Sequence, residues 1–382
     1  MAQLVMTAEN FAFGPAGKLI TVAEALAERG HELTFVGCGT AYQLASRTGC
    51  WDVVKCDTAS PAFSSVSRTL FPSADALLSC MDRPSAAAAR RAGLPTIWLD
   101  PLTWWWDESA DWSWDFDLCI AQRSIRPGPD GGDRRTQRNL LEVGPIVDPA
   151  PAESSAARGS AGLLVNFGGG EAAGWYEVGK DTDYPFVLME VLDSAVDLSA
   201  FEAVTVTANE RIAFELRRRW PDGPFTFGCL GHRDFIRALR QASVFLTVPG
   251  LEAPLEAWTY EVPTVFMPPS NSSQYVQLDE YRRHGLVTEG VHLRDHYDRL
   301  ELMALPLRER SSAFLAQLRE WERDGATRAA VGEALARALA DRERWPDLVG
   351  RGSGFIEGLG GNGLAACLNA VEGFLALRGR ST

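Results

Sequence analysis

Between Val244 and Leu286 the chain reads VFLTVPGLEAPLEAWTYEVPTVFMPPSNSSQYVQLDEYRRHGL, and a glycine, a carboxylate and an amide stand there at spacings that could hold one ligand. The apolar run Val244–Val248 ends at Pro249-Gly250, and Leu251 continues the turn. A glycine at that point removes a side chain where a phosphate could approach backbone N–H groups and the positive end of the next helix. Glu256 falls about one and a half turns into that helix, where its carboxylate can accept from the two hydroxyls of a ribose. Gln274 follows the next apolar run and both donates and accepts, which suits sugar hydroxyls. Together the three match the phosphate, ribose and sugar of one nucleotide sugar. Each also has an ordinary reading, as a plain turn or a solvated helix residue.

The elements that must position these residues are short apolar runs alternating with helical patterns. In the first half QLVMTA, ELTFVG, WDVVKC, DALLS, TIWLD and DFDLCIAQ read as strands, with helices over 18–29, 40–47 and 84–92. Runs this apolar, separated by helices, predict a parallel sheet covered on both faces. After LLEVGPIVD the composition shifts to Pro, Ala, Ser and Gly, as in a linker. The alternation then resumes with GLLVNF, AVTVTA, FTFG, SVFLTV and PTVFMP, with helices over 210–219, 233–241, 252–260 and 274–284. Residues 308–343 keep helical spacing, and an amphipathic helix over 362–378 follows the Gly-rich GRGSGFIEGLGGNG. That last helix is either a C-terminal cap or a segment that crosses back onto the first domain. The expected class is α/β with two Rossmann-like domains, divided as 1–148, a linker 149–160, 161–345, and a C-terminal segment 346–382.

Composition limits the partners. The 382 residues carry a formal net charge of -13, so the outer field repels nucleic acids and anionic membrane surfaces. Seven cysteines form no C-x-x-C pair, which argues against a disulfide framework or a zinc knuckle and fits a reducing cytoplasm. The N-terminus lacks the basic flank of a signal peptide, and no apolar run approaches the roughly 18 residues of a membrane span. Oligomeric state has no signature in the chain.

Gly250, Glu256, Pro263 and the Q-Y-x-Q-x-x-x-Y-x-x-x-G run from Gln274 to Gly285 resemble the nucleotide-sugar signature of GT-B glycosyltransferases. They are similar both to the bacterial N-acetylglucosaminyl transferase that makes lipid II and to the macrolide and plant UDP-glycosyltransferases. FGPAGKLITVAEALAERGHELTFVG is similar to that superfamily's opening, in which a Gly-rich loop leads into a helix and R-G-H-x-V-T-F. The resemblance covers about residues 4–37 and 160–290. It implies an active site in a cleft between the domains, with a nucleotide-sugar donor on the C-terminal domain and a small-molecule acceptor on the N-terminal one. It implies base-holding backbone groups at Gly231 and His232, and a pyrophosphate loop at Gly168, Gly169 and Gly170. Arg211, opening a helix, is a candidate phosphate partner. GT-B enzymes generally work without a bound metal, and the nucleotide sugar is a co-substrate, so no cofactor and no metal are expected. Asp181 and Asp183 form a D-x-D, but in a polar setting that suits a chance match.

One departure matters. Pro15 stands where many members of the macrolide and plant group carry a catalytic histidine, and a proline accepts no proton. A carboxylate is the ordinary substitute. Asp100, ending TIWLD, is the first candidate, with the alternative that it only caps the turn before Pro101. Glu9, following the first strand, is the second. His31 reads as structural. The loop WLDPLTWWWDESADWSWDF holds Trp104, Trp105, Trp106, Trp112 and Trp114. It is either a stacking pocket for an acceptor or a plug between domains. Phe11, Phe13 and Gly14 could complete such a pocket. Lys18 is a further acceptor candidate, against the simpler reading of an exposed helix lysine. Ala, Arg and Trp usage suggests a high-GC actinobacterial source, where such enzymes build antibiotics. FGPAGK, LPTIWLDPLTWWW and CIAQ show a distant resemblance to cytosylglucuronate synthase-type enzymes, which would make the acceptor cytosine.

Overall fold

The computed structural model describes residues 1–106, 116–123, 139–149, 162–171 and 183–378. Trp112, Trp114, Asp181 and nearly all of the expected linker lie outside them. The chain divides into one unit of Met1–Pro149 with Glu357–Thr382 and a second of Ala150–Ile356.

The first unit is built on seven parallel strands, β1 (Gln3–Ala8), β2 (Glu32–Gly37), β3 (Asp52–Lys55), β4 (Ala76–Cys80), β5 (Thr96–Asp100), β6 (Leu118–Gln122) and β7 (Leu140–Val143). Their order is β3-β2-β1-β4-β5-β6-β7. Strands β4 and β5 are buried along their whole length, as expected of strands with helices over both faces. Because the order reverses between β1 and β4, the loops leaving those two strands part there and leave a crevice at their carboxyl ends.

The C-terminal segment belongs to this unit. Gly363 N–H donates to the Pro145 carbonyl at 2.7 Å, Asn362 Nδ2 to that of Val147 at 2.9 Å, and Arg123 Nη1 to that of Leu359 at 3.2 Å. The helix Leu364–Arg378 then packs beside the first helix, α1 (Gly14–Glu28), where Glu372 pairs with Arg29 at 2.5 Å. Of the two readings of the last helix, the return to the first unit is the one adopted. The approach is close because neither glycine has a side chain: a Cβ on Gly363 would lie 2.8 Å from the backbone N and C of Gly144. Gly363→Ala is therefore expected to cost about 2–4 kcal/mol, read as a drop in the urea midpoint with the m-value unchanged.

The second unit holds five parallel strands, β8 (Gly162–Asn166), β9 (Ala203–Thr207), β10 (Phe225–Gly228), β11 (Ala242–Thr247) and β12 (Thr264–Phe266), in the order β10-β9-β8-β11-β12. Here the reversal falls between β8 and β11. Three sequence expectations change. The helical spacing over 308–343 is broken by Asp324, whose carboxylate caps the helix Gly325–Ala340 by accepting from the N–H groups of Ala326 and Thr327. Residues 345–358, read in part as a Gly-rich segment, form a helix. Its buried stripe Trp345, Leu348, Gly352, Phe355 recurs at helical spacing, and Gly352 lies so close under Trp258 that a Cβ would overlap the indole. Packing thus overrides the low helix propensity of glycine. The helices Phe63–Leu70 and Tyr184–Ala195 also went unread.

All seven cysteines are free thiols. Among the described residues no helix is long and apolar enough to cross a membrane, and no group of three or more His, Cys, Asp or Glu is placed to hold a metal ion.

Candidate functional sites at the two sheet reversals

In the second unit the glycine loops predicted from sequence leave the two strands that flank the reversal. After β8 the chain runs through Phe167 into Gly168, Gly169 and Gly170, and Gly168 and Gly170 have φ of 64° and 59°, a region costly for other residues. After β11 it turns at Pro249-Gly250. A Cβ on Gly250 would find nothing nearer than 4.0 Å, where Gln274 Nε2 and the Val248 carbonyl lie, so the missing side chain leaves open space.

The N–H of Gly250 itself is not one of the open backbone donors. That group donates to the Val248 carbonyl at 2.7 Å, and the Gly250 carbonyl accepts from the Tyr281 hydroxyl at 2.9 Å. The donors belong instead to the first turn of the helix Glu252–Thr259, whose N-cap Leu251 offers no side-chain cap. Gln274 sits in the helix Ser272–Arg283, and its Oε1 accepts from Ser270 N and Oγ at 2.8 and 2.9 Å. Those bonds fix the amide so that Nε2 is the end nearer Gly250.

Glu256 is buried, and its Oε1 lies 2.8 Å from His232 Nε2. His232 opens the helix His232–Gln241, with Gly231 as its N-cap. The structure thereby brings together Gly231, His232 and Glu256, three residues singled out separately in the sequence. Arg211 Nε pairs with Glu171 at 2.5 Å, tying the helix Glu210–Arg219 to the end of the glycine loop.

A polar network under this loop was missed. Asn166 Oδ1 accepts from Gly168 N at 2.9 Å and Thr207 Oγ1 at 3.0 Å, while Asn166 Nδ2 donates to Thr247 Oγ1 at 3.2 Å. These residues end β8, β9 and β11, all buried. Asn209 caps the helix Glu210–Arg219 through Ile212 N and donates its amide to the Gly169 carbonyl at 2.6 Å. The readable signal was one polar residue closing each apolar run. A Cβ on Gly170 would lie 2.6 Å from Ile212 Cδ1, so Gly170→Ala is expected to cost roughly 1–2 kcal/mol in thermal unfolding and to displace the loop.

In the first unit the reversal gathers acidic residues. Glu9 follows β1, is half-buried, and no hydrogen-bond donor among the described residues reaches its carboxylate. Burial, then the charge of Asp82, push it up to about 7; Arg83 opposes this and Asp100 adds to it. Asp82, which the sequence reading passed over, follows β4 and is pushed up to about 6 by burial.

Asp100, the first candidate for a base, is 1% exposed and has both oxygens engaged: Oδ1 accepts from Leu102 N at 2.9 Å and Oδ2 from Trp106 Nε1 at 3.1 Å. The alternative reading, a cap on the turn, describes these bonds. Trp106 in turn carries the Arg83 guanidinium 4.8 Å from its ring. Trp104, Trp105 and Trp106 are all buried, and Trp104 and Trp105 meet edge to face at 5.6 Å. That is core packing, and none of these three indoles is left as an open platform. Phe13 is the half-buried N-cap of α1, with Gly14 next to it, and Ala12 before it has a φ of 47°. Lys18 is buried rather than exposed, and its ammonium donates to the Ile146 carbonyl inside the unit. An acceptor role for Lys18 gains nothing from this placement. His31 lies 3.7 Å from Glu372 of the last helix.

No protein-family model matches the chain, and no curated protein matches it by sequence. Solved structures do. The chain is similar to CalG4, the calicheamicin glycosyltransferase, at 16% identity and TM-score 0.54 over 98% of each chain. It is similar to the spinosyn rhamnosyltransferase SpnG at 12% identity and TM-score 0.58, over 98% of this chain and 100% of that one. It is also similar to Os79 from O. sativa at 14% identity and TM-score 0.55, over 97% and 99%. At such identities the likeness is one of fold. The chain has the α/β GT-B fold, with two parallel sheets.

Proposed function

We propose that the protein is a glycosyltransferase that moves a sugar from a nucleotide-diphosphate donor, a UDP-sugar first among the candidates, to a small acceptor without a metal. The observation that carries this reading is the sheet reversal of the second unit. Two glycine turns leave β8 and β11 there, and the Glu256–His232 pair sits on the helices beside them. Backbone amides at the start of the helix Glu252–Thr259 suit a diphosphate, Glu256 suits a ribose diol, and the Gln274 amide suits a sugar hydroxyl. Charge that develops on the leaving diphosphate is met by those fixed donors.

In this reading the acceptor attacks the anomeric carbon, the bond to the diphosphate breaks, and Glu9 takes the acceptor's proton. Glu9 suits the task better than Asp100, because no donor among the described residues reaches its carboxylate and its affinity for a proton is raised toward neutral pH. CalG4 and SpnG are named for calicheamicin and spinosyn, which favours a natural-product acceptor and an antibiotic pathway. A flat nucleobase such as cytosine belongs to the same proposal, as does work in the cytoplasm.

Pro15 keeps two other readings in view, a nucleotide-sugar hydrolase or epimerase and a non-catalytic nucleotide-sugar binder. Donor turnover over a panel of UDP, TDP and GDP sugars separates the three. Release of the nucleoside diphosphate only when an acceptor is added supports transfer. Release or isomerisation at full rate without acceptor makes the protein a hydrolase or epimerase, and binding with no turnover makes it a binder.

A further inference from the structure

Two carboxylates flank the reversal of the first sheet, Glu9 after β1 and Asp82 after β4. Strands β1 and β4 lie side by side with Ala8 opposite Cys80 at the last rung. Glu9 leaves β1 one residue later, its N–H donating to the Cys80 carbonyl at 3.0 Å. Asp82 leaves β4 two residues after Cys80, past Met81, whose φ of 61° makes a turn that residues other than glycine adopt at a cost.

Asp82 is 4% exposed, and Oδ1 accepts from Thr58 Oγ1 at 2.9 Å. Its Oδ2 is shut off from solvent, with no hydrogen-bond partner among the described residues. The hydroxyls close by are committed elsewhere: Ser85 Oγ donates to the backbone carbonyl of Asp82 at 2.9 Å, and Thr7 Oγ1 bonds Ser79 and Ser85. An ionised oxygen buried without a donor is strongly disfavoured, and a proton removes the penalty.

We propose that Asp82 and Glu9 titrate as one pair that holds a single proton at neutral pH, with Asp82 a positioning residue that sets the basicity of Glu9. The functional meaning of the pair rests on the transfer reaction proposed above; its titration does not. The other groups acting on Glu9 are Arg83, which follows Asp82 and stacks on Trp106, and Asp100 at the end of β5. Thr58, which donates to Oδ1, partly offsets the burial of Asp82. From the loop after β2, the Cys38 thiol is pushed up to about 11 by burial and by Asp57 and Asp82, so it stays neutral.

The proton exchanges between the two carboxyls; in the form with the proton on Asp82, whose Oδ2 no donor among the described residues reaches, Glu9 is ionised and the pair carries a net charge of one. When the acceptor attacks, its proton passes to Glu9 and the pair becomes neutral; Glu9 then returns that proton to water. Two ionised carboxylates side by side are avoided throughout.

Carbon-13 NMR of the ligand-free full chain, labelled at the side-chain carboxyls, tests the pair directly. The Glu9 signal is identified by its loss in Glu9→Gln. Its midpoint should fall by about one pH unit or more in Asp82→Asn and rise in Arg83→Gln. Reciprocally, the Asp82 midpoint should fall in Glu9→Gln, an arm that holds even where Asp82→Asn does not fold. The acidic limb of kcat/KM should move with the Glu9 midpoint, whereas mere structural damage lowers the rate at every pH and leaves the limb in place. Midpoints that stay fixed in both variants overturn the pair. Donor binding is independent of this titration, so a failure here and a failure of the transferase reading are told apart.

Discussion

Glu9→Gln is expected to lower turnover by about 10²–10⁴-fold while leaving donor affinity nearly unchanged, because the amide keeps the shape of the side chain and loses the proton acceptor. The same variant should be more stable than the parent above neutral pH. Glu9 binds its proton more tightly in the folded chain, with a midpoint raised from 4.5 to about 7. Its contribution to stability is therefore complete below pH 4.5 and is lost as pH rises through 7. Asp82, raised from 3.8 to about 6, adds a loss of the same sign over a lower window. A carboxamide carries no such penalty, and chemical denaturation at pH 8 should show a gain on the order of 1–3 kcal/mol for Glu9→Gln. A gain in stability with a loss of rate marks a residue kept for chemistry at the expense of the fold. A variant that loses both would mark Glu9 as structural.

Glu256→Ala is expected to weaken donor binding by about 10–100-fold, the usual worth of hydrogen bonds to a charged group. Its effect should appear in KM and in direct binding more than in kcat, since a ribose far from the reacting bond is held alike before and during reaction. The alanine also removes the carboxylate from buried His232, so a stability loss of about 1–3 kcal/mol should accompany it. Glu256→Gln separates the two effects, because the amide oxygen still accepts from His232 Nε2 while the charge is gone.

The strands, and the place of Glu256 on the helix after β11, were legible because they lie on local patterns. SVFLTV followed by Pro-Gly and a helix is a strand exit in any parallel sheet, and Glu256 is placed by counting along one helix. Asp82 was not legible, since its meaning comes from the neighbour relation of β1 and β4, which only the strand order creates. The Asn166, Thr207 and Thr247 network is hidden for the same reason: three separated strands must pair before their last residues meet. Composition misled at the tryptophan cluster, where an aromatic-rich loop suggested a platform and Trp104, Trp105 and Trp106 are core. At Lys18 a charged residue early in a helix read as exposed, yet its ammonium satisfies a carbonyl in the interior. The departure at Pro15 was visible in the sequence. Of the two candidate carboxylates, Asp100 has both oxygens engaged, whereas no donor among the described residues reaches Glu9.

Titration calorimetry of the parent chain and Glu256→Gln with UDP-, TDP- and GDP-sugars tests the central claim most directly, because it asks only whether the reversal of the second sheet holds an activated sugar. The predicted result is saturable binding of at least one donor by the parent, stronger than for the free sugar, and at least about tenfold weaker in the variant. No heat with any donor, or equal affinity in parent and variant, would contradict it.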